Sequence, residues 1–326
     1  MKMASSMASE PSTTIPTVDL SPFFHEDEAG RKQATEIIHH ACQTYGFFRI
    51  VNHGMSTELM AQAIKLSKAF FELPEEEKLK FRPIVGSEAP LPAGYSRQPD
   101  HSPDKNEYLL MFSSELGFNL LPADPPEFRS VLDECFTQLA RIGLLVEEIL
   151  NECMGLPPNF FKEYNKDRRT DFMAALRYFP ATGVENNGLS EHQDGNCLTF
   201  VFQDDVGGLE VLKDGEWISA DPQEGSIIVN VGDIIQVLSN NKFHSAMHRV
   251  VRRGRHRHSF AFFFNIDGEK WIEPLPQFTS KIGEAPSYRG FRYKEYLQLR
   301  LRNKTHPPSR PEDVIHISHY AISPCK

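Results

Sequence analysis

The hydrophobic rhythm of the chain changes near residue 171. Before that point apolar residues recur every three or four positions. "AGRKQATEIIHHACQTYG" predicts a helix ending near Gly46, because that spacing puts one apolar stripe along a 3.6-residue turn. "STELMAQAIKLSKAFFELPEEEKLKF" predicts a second helix, opened by Ser56 as a cap with Glu58 and Leu59 close behind and interrupted at Pro74. Proline has no N–H to donate to the preceding turn. "PEFRSVLDECFTQLARIGLLVEEILNECMG" keeps helical spacing over the most turns and should be the longest helix. "IPTVDLSPF" reads as a short strand and turn, and "FFRIVNHG" as a buried strand stopped by Gly54. Residues 83–105, rich in Pro, Gly, Ser and Asp, predict a long loop.

Beyond residue 171 the runs become short and strand-like. "GGLEVLKDGEWISADP" places Asp214-Gly215 between two apolar runs, a hairpin signal because both residues tolerate positive φ. "SIIVNVGDIIQVLSN" gives two strand-like runs around Gly232-Asp233. Many short strands with tight turns predict a sandwich or jelly roll. "YRGFRYKEYLQLRLRNK" returns to helix, and "THPPSRPED" leads into an irregular tail. The whole is expected to be one α+β unit with helices around a late all-β core.

Composition narrows the function classes. The 326 residues carry a formal charge of −9, which argues against a nucleic-acid binder and an anionic membrane surface. No run of about 18 apolar residues predicts a spanning helix. "MKMASSMASEPSTT" has no apolar stretch of the secretory kind and reads as a disordered lead-in over residues 1–14. The five cysteines, Cys42, Cys135, Cys153, Cys197 and Cys325, are scattered and odd in number. Free thiols in a reducing compartment follow, and the cytoplasm is the expected location. The sequon at Asn303 reads as chance. Nothing in the pattern specifies an oligomeric state.

Candidate chemistry begins at "SEHQDGN". His192 and Asp194 project to one side if the segment is extended. Imidazole with carboxylate suits a divalent transition metal, but two ligands need a third. His248 in "FHSAMHRVV" is the best candidate, 54 positions beyond Asp194. His244 competes, four residues earlier, but its flanks are strand-like and no Glu follows it. It ranks as a surface or supporting histidine. In "RGRHRHSFAFFFN" the residues Arg252, Arg253, Arg255 and His256 read as a solvated basic turn. Arg257 and Ser259 are two apart, and if Ser259 and Phe263 face inwards Arg257 does too. A buried arginine needs an anion, and a ligand carboxylate fits its planar fork.

With those residues in hand, the chain resembles the plant-type Fe(II)/2-oxoglutarate-dependent dioxygenases, a group that includes flavonol and anthocyanidin synthases. "YGFFRIVNHG", "GGLEVLKDGEWISADP", "VNVGDIIQVLSN" and "HRVV" occur in the family's order. The resemblance implies a distorted double-stranded β-helix, a jelly-roll relative, with surrounding helices. It implies Fe(II) on His192, Asp194 and His248, and 2-oxoglutarate on Arg257 and Ser259. Tyr178 is taken with them as part of the co-substrate site. Dioxygen is the oxidant and ascorbate an auxiliary. The implied reaction converts 2-oxoglutarate to succinate and CO2 while oxidising a hydrophobic small plant metabolite, by hydroxylation. Desaturation, demethylation or ring closure is the alternative, as is a catalytically silent small-molecule binder on the same fold.

The implied layout is 15–165 as a helical and mixed region, 166–275 as the dioxygenase core, and 276–326 as a C-terminal helix and tail. Relatives read Asn-Tyr-Tyr-Pro where this chain has Arg177-Tyr178-Phe179-Pro180. Phe179 then stands where the second tyrosine helps hold 2-oxoglutarate. By the same alignment, Ala175 and Asn265 replace a lysine and an acid of the flavonoid pocket. Tyr108, Leu110 and Phe263 match other pocket positions. The implied acceptor wall is apolar and aromatic.

Overall fold

The structure is a computed structural model that describes residues 14–184, 186–305, 310 and 313–322. The lead-in expected over residues 1–14 lies outside the described residues apart from Thr14, as does Cys325. Strand β1 (Thr17–Asp19) is followed by helix α1 (Glu28–Thr44), β2 (Phe47–Val51), α2 (Thr57–Glu72) and α3 (Glu75–Lys78). The Ser56 side chain caps α2 by accepting from the Leu59 N–H. Strands β3 (Gly94–Arg97) and β4 (Asn106–Phe112) come next, so the segment taken as one long loop contains a strand. Tyr95 supplies the apolar anchor within that polar stretch, fully buried beside Leu109 in the helix-side core. Helix α4 (Glu127–Cys153), at 27 residues, is the longest. The short α5 (Phe160–Tyr164) leads into the β-rich half.

That half holds β5 (Phe172–Tyr178), β6 (Asn187–His192), β7 (Leu198–Gln203), β8 (Leu209–Lys213), β9 (Glu216–Ser219) and β10 (Ile227–Val231). Asp214 and Gly215 both take positive φ in the β8–β9 hairpin, as their residue types favour. Helix α6 (Asp233–Leu238) follows, then β11 (His248–Val251), β12 (Arg257–Phe264), β13 (Trp271–Ile272), β14 (Phe291–Arg292) and α7 (Tyr293–Thr305). The second run of "SIIVNVGDIIQVLSN" is therefore helical, not a strand. All six residues of α6 are buried. With Asp233 and Gln236 buried beside its apolar residues, so short a segment shows no solvent-facing period to betray its type.

Two sheets form the core. The larger runs β1-β2-β10-β7-β12-β5-β4-β3, and the smaller runs β6-β11-β8-β9. Pairings are antiparallel except β1 with β2. Each strand of the larger sheet sends alternate residues to opposite faces. Phe260, Phe262 and Phe264 of β12 join α2 and α4 in one apolar cluster. Burying a ring of this size contributes about 1.5–3 kcal/mol. The other face meets the smaller sheet, where Phe47, Leu176, Tyr178 and Ile228 pack on Leu209, Val211 and Val250. This is the expected jelly roll with helices around it. No helix among the described residues is long and apolar enough to cross a membrane.

Candidate metal and co-substrate site

His192 ends β6 and His248 opens β11, and the two are direct partners in the antiparallel register. Their ring centroids are 4.2 Å apart. Asp194 lies in the bend after β6 rather than in the strand. Its Oδ1 is 3.5 Å from His192 Nε2 and 3.7 Å from His248 Nε2. Asp194 and His248 are each 6% exposed. Three ligand-type atoms thus lie within 4.8 Å of one another.

The surroundings aim these atoms. His192 Nδ1 is 2.8 Å from the Ser190 carbonyl and His248 Nδ1 is 3.1 Å from the Ala246 carbonyl. A carbonyl can only accept, so each Nδ1 carries the proton and each Nε2 keeps its lone pair. Asp194 Oδ2 accepts from Thr199 Oγ1 at 2.6 Å and from Asn230 Nδ2 at 2.9 Å, leaving Oδ1 open. Burial alone would raise this carboxyl, but charge on His248 and His192 when these rings carry a second proton, with the hydrogen bonds from His192 and Thr199, holds it well below the usual carboxylate range. Phe47 meets the His248 ring edge-on from the opposite sheet. Gly232 lets the ligand loop close up: a Cβ there would lie 2.0 Å from the Asn196 carbonyl oxygen. That contact lets Asp233 N–H donate to the Asp194 carbonyl at 2.7 Å.

Arg257, Ser259 and Tyr178 form a second group on the inner face. Arg257 is 2% exposed. Its Nε and Nη2 donate to Gln203 Oε1 at 3.1 and 2.8 Å, and its Nη1 to Ser259 Oγ at 3.1 Å. The guanidinium carbon is 4.9 Å from the Tyr178 ring centre. Burial pushes the Tyr178 hydroxyl up, so it stays a neutral donor. Every one of these neighbours is uncharged. Among the described residues no carboxylate forms an ion pair with Arg257, Asp204 acting on it only at longer range, so the charge is held out of water with no anion in contact.

The register corrects one alignment. Arg257 pairs with Tyr178 and Ser259 with Leu176, so Tyr178 shares their face. Phe179 does not take the role of the family's second tyrosine. Its N–H donates to the Lys105 carbonyl, and its ring lies beside Arg97, Arg177 and His256. Ala175, one residue off in the same sense, packs in the helix-side cluster and cannot line the pocket. The motif as spelled aligns one position away from the strand's alternation. Arg252 is also not solvated: it is 6% exposed, with Nη1 donating to the Pro180 carbonyl. His244 is exposed, as expected.

A cavity of about 260 Å³ opens on His192 and Asp194. Phe263 and Asn265 line it, with Leu91, Phe172, Leu189 and, from α7, Leu297 and Arg300. Phe263 stacks on Phe172 with centroids 4.4 Å apart. Tyr108 and Leu110 are not among its lining residues. They share the inner face through pairing with Leu176 and Ala174, and they pack beside Leu91 and Phe172.

Residues 170–266 match the family model of the 2OG-Fe(II) oxygenase superfamily, and residues 15–127 match one described as non-haem dioxygenase in morphine synthesis N-terminal. Flavanone 3-dioxygenase 2 of Oryza sativa subsp. japonica is 31% identical over 291 residues, covering 87% of this chain and 82% of that one. The chain belongs to the 2OG-Fe(II) oxygenase superfamily. Two solved structures share the oxygenase's architecture. A full-length Neurospora crassa protein in complex with alpha-KG and thymine has a TM-score of 0.79 and 26% identity, covering 88% of this chain and 96% of that chain. JOX2 in complex with 2OG, Fe and JA has a TM-score of 0.79 and 29% identity, covering 95% and 89%. The oxygenase is thus a 2-oxoglutarate-dependent dioxygenase whose cofactors are Fe(II), 2-oxoglutarate and dioxygen.

The residues present fit those groups. Two neutral imidazoles and a carboxylate on one side of a metal leave other positions open. A buried arginine with no anion in contact suits a carboxylate end. The site also contains residues that sequence reading passed over. Gln203, Thr199 and Asn230 are polar side chains on the inner face of otherwise apolar strands. "LTFVFQ" and "IIVNV" carried that signal, because a polar residue inside an apolar strand needs a partner. Asp104, Leu297 and Arg300 had no comparable mark.

Proposed function

We propose that this protein hydroxylates a mostly apolar small plant metabolite while 2-oxoglutarate is converted to succinate and CO2. His192 Nε2, Asp194 Oδ1 and His248 Nε2 hold Fe(II), and Arg257, Ser259 and Tyr178 receive the far carboxylate of 2-oxoglutarate. Iron with 2-oxoglutarate and dioxygen supplies the oxidising power at that position. The chain itself orients the ligands, neutralises the co-substrate's charge and keeps water from the acceptor. Residues 166–275 serve as the oxidising core, 15–165 buttress its outer face, and 276–326 close the cavity through α7. The four described cysteines are free and buried, which favours a reducing compartment, the cytoplasm.

The cavity beside His192 and Asp194 carries this reading. Phe172, Phe263, Leu91, Leu189 and Leu297 form its walls, the kind of lining that takes a hydrophobic acceptor. The thymine and JA of the two related structures are small organic molecules of suitable scale. The test is a panel of plant metabolites incubated with Fe(II) and 2-oxoglutarate, with succinate release and product mass recorded. Apolar acceptors should stimulate succinate release and gain one oxygen atom. Stimulation by strongly polar members alone would overturn the apolar class, and loss of two hydrogens without gained oxygen would replace hydroxylation by desaturation.

A further inference from the structure

Within the apolar cavity one carboxylate is half engaged. Asp104 lies in the connection between β3 and β4 and lines the cavity. Its Oδ1 accepts three hydrogen bonds: from Asn187 Nδ2 at 2.9 Å, from the Ser190 N–H at 2.8 Å and from Ser190 Oγ at 2.5 Å. Its Oδ2 accepts none among the described residues. Most other polar groups of the walls are committed, His316 Nδ1 and Arg300 Nη1 being buried nitrogens without a hydrogen-bond partner, and neither is a carboxylate. Asn265 donates to the Thr170 and Phe263 carbonyls and accepts from the Tyr293 hydroxyl. Asn303 is clasped in both directions by the Ile315 backbone. Arg300 donates to the Gln193 carbonyl and faces Asp233. Glu191, the other acid of the lining outside the metal cluster, is exposed.

We propose that Asp104 selects an acceptor bearing a hydrogen-bond donor, a hydroxyl or an N–H, by receiving it on Oδ2. The inference rests on the oxidase reading of this cavity. Three donors on one oxygen fix the plane of the carboxylate, so its second oxygen is presented in a set direction without ordering cost at binding. An ionised oxygen accepts more strongly than a neutral one. The same anchor fixes where the acceptor sits. Ser190, held by Asp104, lies two residues before His192 and holds that ring through its carbonyl. A donor group docked on Asp104 is therefore indexed to a metal-ligand strand. An acceptor presenting a carboxylate at this end would meet like charge and be disfavoured.

The experiment compares matched probes, a phenol and its methyl ether on the same carbon skeleton. Dissociation constants are measured by calorimetry for the parent and Asp104→Asn, with succinate release followed on the same samples. The parent should bind the phenol about tenfold or more tightly than the ether, the size expected of a hydrogen bond to a charged group. In Asp104→Asn the amide oxygen can keep Ser190 and Asn187, and the amide N–H2 now faces the cavity. The preference should then vanish or invert. A residue that only props the strand would weaken both probes alike and leave the ratio unchanged. Equal binding of the two probes by the parent overturns the proposal without any variant, and so does an unaltered ratio in Asp104→Asn. Succinate release reports separately: selective binding without stimulated release would leave Asp104 as a selector and remove the oxidase reading.

Discussion

Arg177 and Arg257 stand on neighbouring strands of one sheet, both largely withdrawn from water, yet they meet opposite company. Arg177 points to the outer face. There Glu107, fully buried, receives Arg177 on one oxygen and Lys78 at 3.0 Å and the Tyr95 hydroxyl at 2.6 Å on the other. Arg257 points inwards and contacts Gln203, Ser259 and Tyr178, with Asp204 felt only at longer range and in no ion pair with it. The acids differ in the same way. Glu107 has cations on both oxygens, whereas Asp194 has Oδ2 tied by Thr199 and Asn230 and Oδ1 open between two imidazoles. Burial of charge does not distinguish scaffold from site, since both regions bury it. Completion of the charge does. The outer cluster balances two cations, Lys78 and Arg177, with two acids, Glu107 and the more exposed Glu75 at 3.7 Å from Lys78, while the inner one has an open carboxylate oxygen at Asp194 and no anion in contact with Arg257 among the described residues.

The largest expected effect comes from emptying the open acid. Asp194→Ala removes the only carboxylate of the ligand set and should abolish Fe(II) binding and turnover while the fold persists. Titration of Fe(II) beside circular dichroism checks both. Near-normal turnover in a folded variant would take Asp194 out of the ligand set.

The two regions should then respond in opposite ways. Glu107→Ala strands Arg177 without its anion and leaves Lys78 only the exposed Glu75 at 3.7 Å, and breaking a buried pair this way costs about 3–5 kcal/mol. Its melting temperature should fall steeply, with the 2-oxoglutarate constant of the surviving folded protein unchanged. Arg257→Lys keeps a charge but loses the planar fork, so 2-oxoglutarate should weaken about tenfold or more, with a small change in melting temperature. If Arg257→Lys behaves like Glu107→Ala, the inner arginine is scaffold as well.

Another arginine, only partly buried, sits between these extremes. Arg168 lies under Phe264 and serves two acids, Asp171 through paired contacts at 2.9 and 3.2 Å and Glu147 at 3.8 Å. One cation for two buried carboxylates leaves the looser acid under-compensated. Burial first, with Asp171 adding to it against Arg168, pushes Glu147 up to about 7, and Asp171 itself rises to about 6. A folded-state value above the ordinary 4.5 means that the native protein holds the Glu147 proton longer than the unfolded chain does. Stability from this group is present below pH 4.5 and is lost as pH rises through about 7. Glu147→Gln should remove that loss and be more stable than the parent at pH 8 by on the order of 3 kcal/mol, one pKa unit being about 1.4 kcal/mol. At pH 5 the advantage should be small. Chemical denaturation at the two pH values decides it.

These regions were not equally legible in the sequence. The inner group could be named from its residue types at two-residue spacing, although Asp194 lies past the end of β6 and only Arg257, Ser259 and Phe263 owe their common face to the strand period. Helix α4 was legible from its long apolar stripe. Helix α6 was not, since a six-residue segment buried all round looks the same as a buried strand. The Glu107 and Glu147 clusters join residues tens of positions apart through packing alone, and no local pattern announces them. The face of "RYFP" failed for another reason. Its letters match a family motif in one register, while the hydrogen-bonded pairing of Tyr178 with Arg257 sets another, and a slip of one residue exchanges the two faces.

That slip gives the smallest and sharpest test. Tyr178→Phe removes a buried hydroxyl that interacts with Arg257 and Ser259. If the co-substrate docks there, 2-oxoglutarate should weaken by up to about 1 kcal/mol, the net contribution of an ordinary hydrogen bond, or a few-fold in its apparent constant. Phe179→Tyr adds the same group on the outer face. Phe179 is half-buried beside Arg97 and Arg177, so the new hydroxyl can reach water or a guanidinium-lined edge without being trapped. Stability should then move by no more than about 0.5 kcal/mol, as for most surface changes, and the 2-oxoglutarate constant should stay where it was. The pair tests the register rather than either residue. Each variant changes one oxygen atom, on adjacent residues, and only the alternation of the strand predicts that one is felt at the co-substrate and the other is not. Tighter 2-oxoglutarate binding in Phe179→Tyr, with none lost in Tyr178→Phe, would move β5 by one residue and carry Phe179 to the inner face.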